Sequence, residues 1–110
     1  MKSLLIAIAL MGSTLLNANA VPNELTRQFC SSMKVMAKQV KEGRELGMTQ
    51  NYYLEMIAKN KFTSSDTRNI EQVTRISEAV IKGAWLSDDD PESYSIFVHE
   101  TCLETVVLVP

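Results

Sequence analysis

The sequence predicts a small all-α protein, a bundle of about four helices whose first and last members are joined by a disulfide bond. Three observations predict this fold. Apolar residues recur with the 3.6-residue period of a helix in four separate segments. The connections between these segments are two to five residues long, which favours antiparallel packing. The two cysteines, Cys30 and Cys102, fall in the first and last segments.

The first 20 residues have the pattern of a secretory signal peptide. Lys2 is followed by an apolar run from Leu4 to Met11, and Ala18-Asn19-Ala20 forms a small-x-small cleavage site. A membrane-spanning helix needs about 20 apolar residues, whereas a Gly-Ser-Thr sequence at 12–14 interrupts this run. We therefore expect cleavage near Ala20, no membrane anchor, and a single helical domain of residues 21–110 in the periplasm or outside the cell.

The mature chain is mildly acidic. The full chain has 11 Lys+Arg and 13 Asp+Glu, and the signal peptide contains one Lys and no acid, so residues 21–110 carry a net charge of −3. Nucleic acid and anionic membrane surfaces both require a basic protein surface, so we expect neither as a partner. The 90 remaining residues form a modest core, which gains much from a covalent cross-link.

An oxidising compartment and two cysteines make one intramolecular disulfide the expected state. Closing the loop between Cys30 and Cys102 is worth roughly 4 kcal/mol in the chain-entropy model. The alternative is a reactive thiol or a metal site. The sequence has no C-x-x-C motif, and its one histidine, His99, lies one helical turn before Cys102. These features favour the structural bridge.

The first predicted helix runs from about residue 24 to residue 46. Asn23 stands where an N-cap belongs, and Gly47 is a natural residue to end the helix. Its apolar stripe consists of Leu25, Phe29, Met33, Met36, Ala37 and Val40. A basic row lies on the opposite face: Lys34, Lys38, Lys41 and Arg44. We interpret this row as a solvated face, with a docking surface for an acidic partner as the alternative.

The second predicted helix covers about residues 49–60. Thr49 is its expected N-cap, and Met48 is placed to pack on Tyr53. The mature chain contains four methionines: Met33, Met36, Met48 and Met56. Because their spacing follows the apolar stripes, we expect them in the core rather than on an adaptable binding surface.

The third helix is expected to follow Phe62, an apolar plug in the connection, and to be capped by Thr63 or Ser64. It ends at Trp85 and Leu86. Two pairs are spaced to form ion pairs along its outer face: Glu71 with Arg75 and Glu78 with Lys82.

Three residues predict the start of the fourth helix: Asp90 as N-cap, Pro91 at the first helical position and Glu92 at the second. Residues 105–110 form an apolar C-terminal tail that lacks a helical period. This tail, including Val106, Val107, Leu108 and Val109, either binds a partner or folds back along a groove of its own domain, and the sequence leaves both possibilities open.

No set of residues has the pattern of a catalytic site, so the sequence predicts no enzyme, no cofactor and no metal. Asp88, Asp89 and Asp90 are better explained as a capped loop than as a calcium site, which would show alternating acids and a distal Glu. The candidate partner-binding residues are Val106, Val107, Leu108, Val109, Trp85 and Arg44. A half-buried hinge position for Trp85 and a structural corner around Arg44 are the alternatives.

The chain resembles a group of small exported bacterial helical proteins that have one cysteine in the first helix and one in the last. The resemblance covers most of residues 24–104 and implies only a fold and an exported location. It rests on Cys30, the corner Arg44-x-x-Gly47-Met48, an aromatic residue closing the third helix, Pro91-Glu92 and Cys102. The format of about ninety helical residues with one disulfide is also similar to the acid-stress chaperones of the HdeA type.

Our first functional hypothesis is a non-enzymatic protein-binding module of the periplasm, acting as an inhibitor, immunity factor or accessory subunit. It would bind another periplasmic protein through a helix face or the tail. The alternative is an acid-stress chaperone that opens when its carboxylates become protonated. A third hypothesis is a redox or metal protein that uses Cys30, Cys102 and His99. The sequence leaves the partner and the oligomeric state open.

Overall fold

The computed structural model describes residues 21–59 and 67–110. The predicted signal peptide, the plug Phe62 and the cap candidates Thr63 and Ser64 lie outside the described residues. Four α-helices make up most of the described chain: α1 (Glu24–Glu45), α2 (Gln50–Lys59), α3 (Thr67–Leu86) and α4 (Pro91–Thr105). The predicted all-α bundle is confirmed.

The predicted caps begin α1 and α4. The Asn23 side chain accepts a hydrogen bond from the Thr26 N–H at 2.8 Å. The Asp90 side chain accepts one from the Ser93 N–H at 2.7 Å, and Pro91 occupies the first helical position. Hydrogen bonds to the carboxylate from the Ser93 side chain and from the Ser93 backbone hold the pKa of Asp90 below its usual value. Each cap satisfies a backbone donor that the helix itself leaves unpaired.

The corner between α1 and α2 is also built as the sequence predicts. Gly47 adopts a left-handed backbone conformation, with φ of 94°, which only glycine adopts readily. The Met48 N–H then donates to the Gly43 carbonyl at 2.9 Å. Thr49 Oγ1 accepts from the Tyr52 N–H at 3.2 Å and caps α2. The chain therefore reverses direction within a few residues.

The largest helix interface joins α1 to α4, which run antiparallel. Cys30, early in α1, is bonded to Cys102, late in α4, with 5.6 Å between the two Cα atoms. At the other end of this interface, Lys38 pairs with Glu92 at 3.3 Å. Cys30 is fully buried and Cys102 is 4% exposed, so the predicted disulfide is confirmed and lies in the core. A structural disulfide indicates an oxidising compartment.

Helix α3 lies against the other side of α1 and runs parallel to it. Its middle contacts α1 through Ser77 and Met33, and its last carbonyls face Arg44 near the end of α1. Helix α2 packs on α3, with the Tyr53 and Trp85 ring centroids 6.1 Å apart. Helices α3 and α4 both pack on α1, and few of their backbone positions lie close to each other. A groove therefore separates them.

The buried core is shared by α1, α3, α4 and the C-terminal tail. Its members are Cys30, Met33, Ala37, Val40, Val80, Ile81, Ala84, Tyr94, Val98, Cys102, Val106 and Leu108. Helix α2 contributes no fully buried residue. Within the described ranges, no helix has the length and apolar character needed to cross a membrane.

Tyr94 is the largest fully buried side chain, and its hydroxyl donates a hydrogen bond to the Val80 carbonyl at 2.6 Å. This bond links α4 to α3 beneath the groove. Burial raises the pKa of Tyr94, because the phenolate would lose its hydration inside the core. The Lys41 ammonium lies 5.7 Å from the centre of the same ring.

Removing the disulfide should destabilise the domain. For the double variant Cys30→Ala/Cys102→Ala we expect a free energy of unfolding about 4 kcal/mol lower, because the unfolded chain regains the entropy that the closed loop removes. Urea denaturation measures the change. A thiol reductant should weaken the wild type and leave the double variant unchanged. Equal denaturation midpoints for the two proteins would contradict the prediction.

The raised pKa of Tyr94 predicts a loss of stability at alkaline pH. Above about pH 10 the unfolded chain ionises this tyrosine while the folded chain keeps it protonated, so the free energy of unfolding should fall as pH rises, by at most about 1.4 kcal/mol per pH unit. Tyr94→Phe should lose this decline, and Tyr52→Phe, at an exposed ring, should retain it. Urea denaturation between about pH 8 and about pH 11 tests the prediction, and an equally steep decline in Tyr94→Phe would refute it.

Candidate functional site

The predicted partner-binding residues lie at two opposite ends of the molecule. Arg44 and Trp85 lie where α1 and α3 end, whereas Val106–Val109 lie where α1 and α3 begin. The structure therefore does not bring these residues together into one site. Each end has its own geometry.

At the first end, two cations of α1 neutralise the carbonyl end of α3. Arg44 Nη1 donates to the carbonyls of Ala84 at 2.9 Å and Ser87 at 3.1 Å. The Lys41 ammonium also donates to the Ser87 carbonyl. The last carbonyls of a helix lack partners within it and carry a partial negative charge, so buried cations are stabilising there. Arg44 is thus part of a structural corner, and its binding of a partner stays a prediction.

Lys41 is only 4% exposed, which is unusual for a lysine. Loss of hydration on burial lowers the pKa of Lys41, and repulsion from Arg44 lowers it further. Because Lys41 and Arg44 point into the end of α3 and Lys38 pairs with Glu92, the basic row of α1 is not the continuous solvated face that we expected.

Trp85 is half-buried and faces Tyr53 of α2. The Tyr53 hydroxyl lies so close to Gly43 that a Cβ atom built there would be 1.8 Å from it. Gly43 therefore has a packing role, because its missing side chain lets α2 approach α1. Helix α2 is fixed to the bundle mainly by this aromatic contact and by the half-buried Leu54 and Ile57.

A group of exposed apolar side chains lies at the same end, and we call it the corner surface. It consists of Leu46, Met48, Tyr52, Met56 and Leu86, with exposed fractions of 84%, 37%, 46%, 40% and 69%. Their neighbours bring these segments together, since Arg44 contacts the carbonyls on both sides of Leu86 and Tyr53 faces Trp85. The expectation that all four methionines lie in the core is wrong for Met48 and Met56. Apolar spacing on α2 identifies a face, but it does not show that this face lacks a covering element.

Carboxylates surround the corner surface. The segments that form this surface contain five acidic residues: Glu42, Glu45, Asp88, Asp89 and Asp90. They also contain the cations Lys41 and Arg44, whose charged groups point toward the end of α3. An open polar cavity of about 460 Å³ lies among them and is lined by Lys41, Arg44, Glu45, Ser87 and residues 88–91. No cluster of metal-ligand side chains occurs in the described ranges. Carboxylates therefore outnumber cations at this end of the molecule.

The C-terminal tail is docked at the opposite end, and we call residues 106–110 the strap. The Leu108 N–H donates to Thr26 Oγ1 at 3.0 Å, and Asn23 Nδ2 donates to the Leu108 carbonyl at 2.8 Å. The Asn69 side chain forms two hydrogen bonds with the backbone of Val109. Its Nδ2 donates to the Val109 carbonyl at 2.8 Å, and its Oδ1 accepts from the Val109 N–H at 3.0 Å. Side chains thus take the place of a neighbouring β-strand.

Alternate residues of the strap face the core. Val106 and Leu108 are 7% and 2% exposed, whereas Val107 and Val109 are 52% and 46% exposed. This two-residue alternation is the pattern of an extended segment with one buried face. Of the two possibilities that the sequence leaves open, the strap adopts the folded-back one. Partner binding by its outward valines stays a prediction.

A second cavity, which we call the α3–α4 groove, has a volume of about 570 Å³. Its walls come from residues 72–82 of α3 and 98–106 of α4 and the strap. The apolar members are Ile76, Ala79, Val80, Val98, Cys102 and Val106. This groove could not be predicted from the sequence, because no sequence pattern shows that α3 and α4 stay apart.

The comparisons with known proteins add no relative. No family model matches this chain, and neither a curated protein nor a solved structure matches it. The resemblance to small exported bacterial helical proteins therefore stays a prediction.

The docked strap predicts opposite effects for two neighbouring substitutions. Leu108→Ala should lower the free energy of unfolding by about 2 to 4 kcal/mol, because it leaves a cavity where the side chain was buried. Val107→Ala should change it by less than about 0.5 kcal/mol, because its side chain is half-exposed. Urea denaturation of the two variants compares them. Similar losses for both, or none for Leu108→Ala, would show that the strap is not docked in solution.

Proposed function

We propose that the protein is a non-enzymatic, exported protein-binding module that works in the periplasm as an inhibitor, immunity factor or accessory subunit. The corner surface carries this proposal. Large exposed apolar groups that cluster at one end of a small domain are typical of interaction sites rather than of ordinary solvated surface. The signal peptide predicted for residues 1–20 and the buried disulfide support the exported location.

The composition of the corner surface supports a protein partner. Tyrosine and methionine are enriched at protein interfaces, and the flexible methionine side chain fills irregular gaps. Tyr52, Met48 and Met56 supply both kinds of contact, and Leu46 and Leu86 are the most exposed leucines. The scaffold beneath them is held by the Arg44 and Lys41 contacts, so little order has to be gained on binding.

The charges around the corner surface define the chemistry of the partner. The inward-facing Lys41 and Arg44 leave the carboxylates of Glu42, Glu45 and Asp88 at the outside. Complementary charge speeds association and suppresses incorrect partners. The partner is therefore expected to present an apolar patch flanked by Lys or Arg.

The acid-stress chaperone remains the alternative prediction, and no geometric feature favours it. None of the described Asp or Glu side chains is buried. Glu24, beside Arg27, and Asp90, at its cap, have a pKa below the usual value, and both are exposed. Protonating these carboxylates removes few folded-state contacts, so acid has little means of opening the domain beyond general charge repulsion. The redox and metal hypothesis has less support, because the sulfurs of Cys30 and Cys102 are joined in a buried disulfide.

Site-specific photo-crosslinking in the native periplasm tests the proposal. A photoreactive residue at position 46, 52 or 86 should link the protein to one defined partner, because these positions lie on the corner surface. The same residue at Val35, which is 57% exposed on another face, serves as the matched control. Crosslinked products are identified by mass spectrometry. Products that do not differ between the two sets of positions would refute the proposal.

Binding measurements with the captured partner then test the mechanism. Leu46→Ser/Leu86→Ser should weaken binding by at least about tenfold, since truncated central contacts cost more than about 1.4 kcal/mol. Val35→Ser should leave it unchanged. Deleting residues 106–110 is not a suitable control, because it would remove Leu108 from the core.

A further inference from the structure

The α3–α4 groove is a second potential binding site, separate from the corner surface. It exists because α3 and α4 both pack on α1 and remain apart above it. The disulfide holds α4 in place, and the Tyr94–Val80 hydrogen bond joins the two helices only at the bottom of the groove. The groove thus follows from the packing of α3 and α4 on α1 and from the disulfide that holds α4 there.

The groove combines an apolar interior with a volume suited to a small ligand. Its volume of about 570 Å³ lies within the range of ligand pockets, roughly 300 to 1,000 Å³. Val80, Val98, Cys102 and Val106 are buried beneath it, and Ile76 and Ala79 are partly exposed to it. The only acidic side chain among its lining residues is Glu78.

The charged residues nearest the apolar interior are cations. At 100° per residue, Arg75 and Lys82 lie within about 20° of each other on α3 and next to Ala79, whereas Glu78 lies further round the helix. Arg75 pairs with Glu71 at 2.7 Å, as the sequence predicts. Lys82 forms no ion pair among the described residues, so the expected pair with Glu78 is absent. The Lys82 ammonium can therefore form an ion pair with a ligand.

The dimensions of the groove fit a single extended chain. The α3 wall, residues 72–82, is about 15 Å long, and the α4 wall is shorter. An unbranched alkyl chain is thin enough to lie on the apolar residues.

We propose that the α3–α4 groove binds a single-chain anionic amphiphile of the medium-chain fatty acid type. The alkyl chain lies on Ile76, Ala79 and Val80, and the carboxylate meets the Lys82 ammonium at the rim. The mild acidity of the whole chain does not oppose this ligand, because Glu78 is the only acidic residue among the described residues that line the groove. The proposal is independent of the function of that surface.

Calorimetric titration of the mature protein with octanoate, decanoate and dodecanoate below their micelle concentrations tests the proposal. The dissociation constant should fall about fourfold for each added methylene until the groove is full. Alkyltrimethylammonium ions of the same chain lengths should bind at least tenfold more weakly, since Lys82 repels them. Absence of binding by all the acids, or equal binding of acids and cations, would overturn the proposal.

Variants of the groove residues, with one control variant, locate the site. Lys82→Gln should remove the preference for acids and retain the dependence on chain length, and Lys59→Gln, an exposed cation on α2, should change neither. Ala79→Phe should fill the groove and abolish binding, with thermal unfolding to verify that the variant is folded. If it is not folded, Thr105→Phe blocks the groove from α4. Binding unaffected by Lys82→Gln or by a folded groove-filling variant would overturn the assignment, as would a groove that binds an amphipathic helical peptide and none of the acids.

Discussion

The rest of the structure depends on the α1–α4 interface and its buried disulfide. Cys30 and Cys102 join the first and last helices inside the core. This fixes α4 against one side of α1, while α3 occupies the other side. Because α1 supports both α3 and α4, the backbones of these two helices lie apart, and the Tyr94–Val80 hydrogen bond links them. The groove between them and the docking place of the strap both follow from this arrangement.

Polar side chains at the two ends of the bundle add contacts between the elements that the core packs together. Lys41 and Arg44 neutralise the last carbonyls of α3, and Asn23, Thr26 and Asn69 bind the backbone of the strap. In both places, side chains of one element form hydrogen bonds with backbone groups of another. These bonds fix the positions of the two elements relative to each other. The consequence for function is that the outward apolar side chains lie on a fixed scaffold.

Local signals in the sequence predicted the fold well, because they act over a few residues. Asn23, Gly47 and Asp90 have effects that depend on backbone groups within three or four positions, and the helices begin and end there. Site residues were harder to predict. Arg44 and Trp85 contact elements about 40 and 30 positions away, and Gly43 owes its role to Tyr53 on another helix. Residue spacing within one helix contains no information about such contacts.

The sequence by itself determined an all-α chain with four capped helices and a cysteine in the first and last of them, since period, caps and cysteine positions are local properties. Only the tertiary structure decided which apolar faces are covered. Met33 is buried and Met56 is not, although both lie on apolar stripes, because α1 is packed between two helices and α2 rests on α3 with its other face in solvent. The burial of Leu108 also depends on tertiary contacts, since Thr26 and Asn69 bind the backbone of Leu108 and Val109 and hold the strap in place.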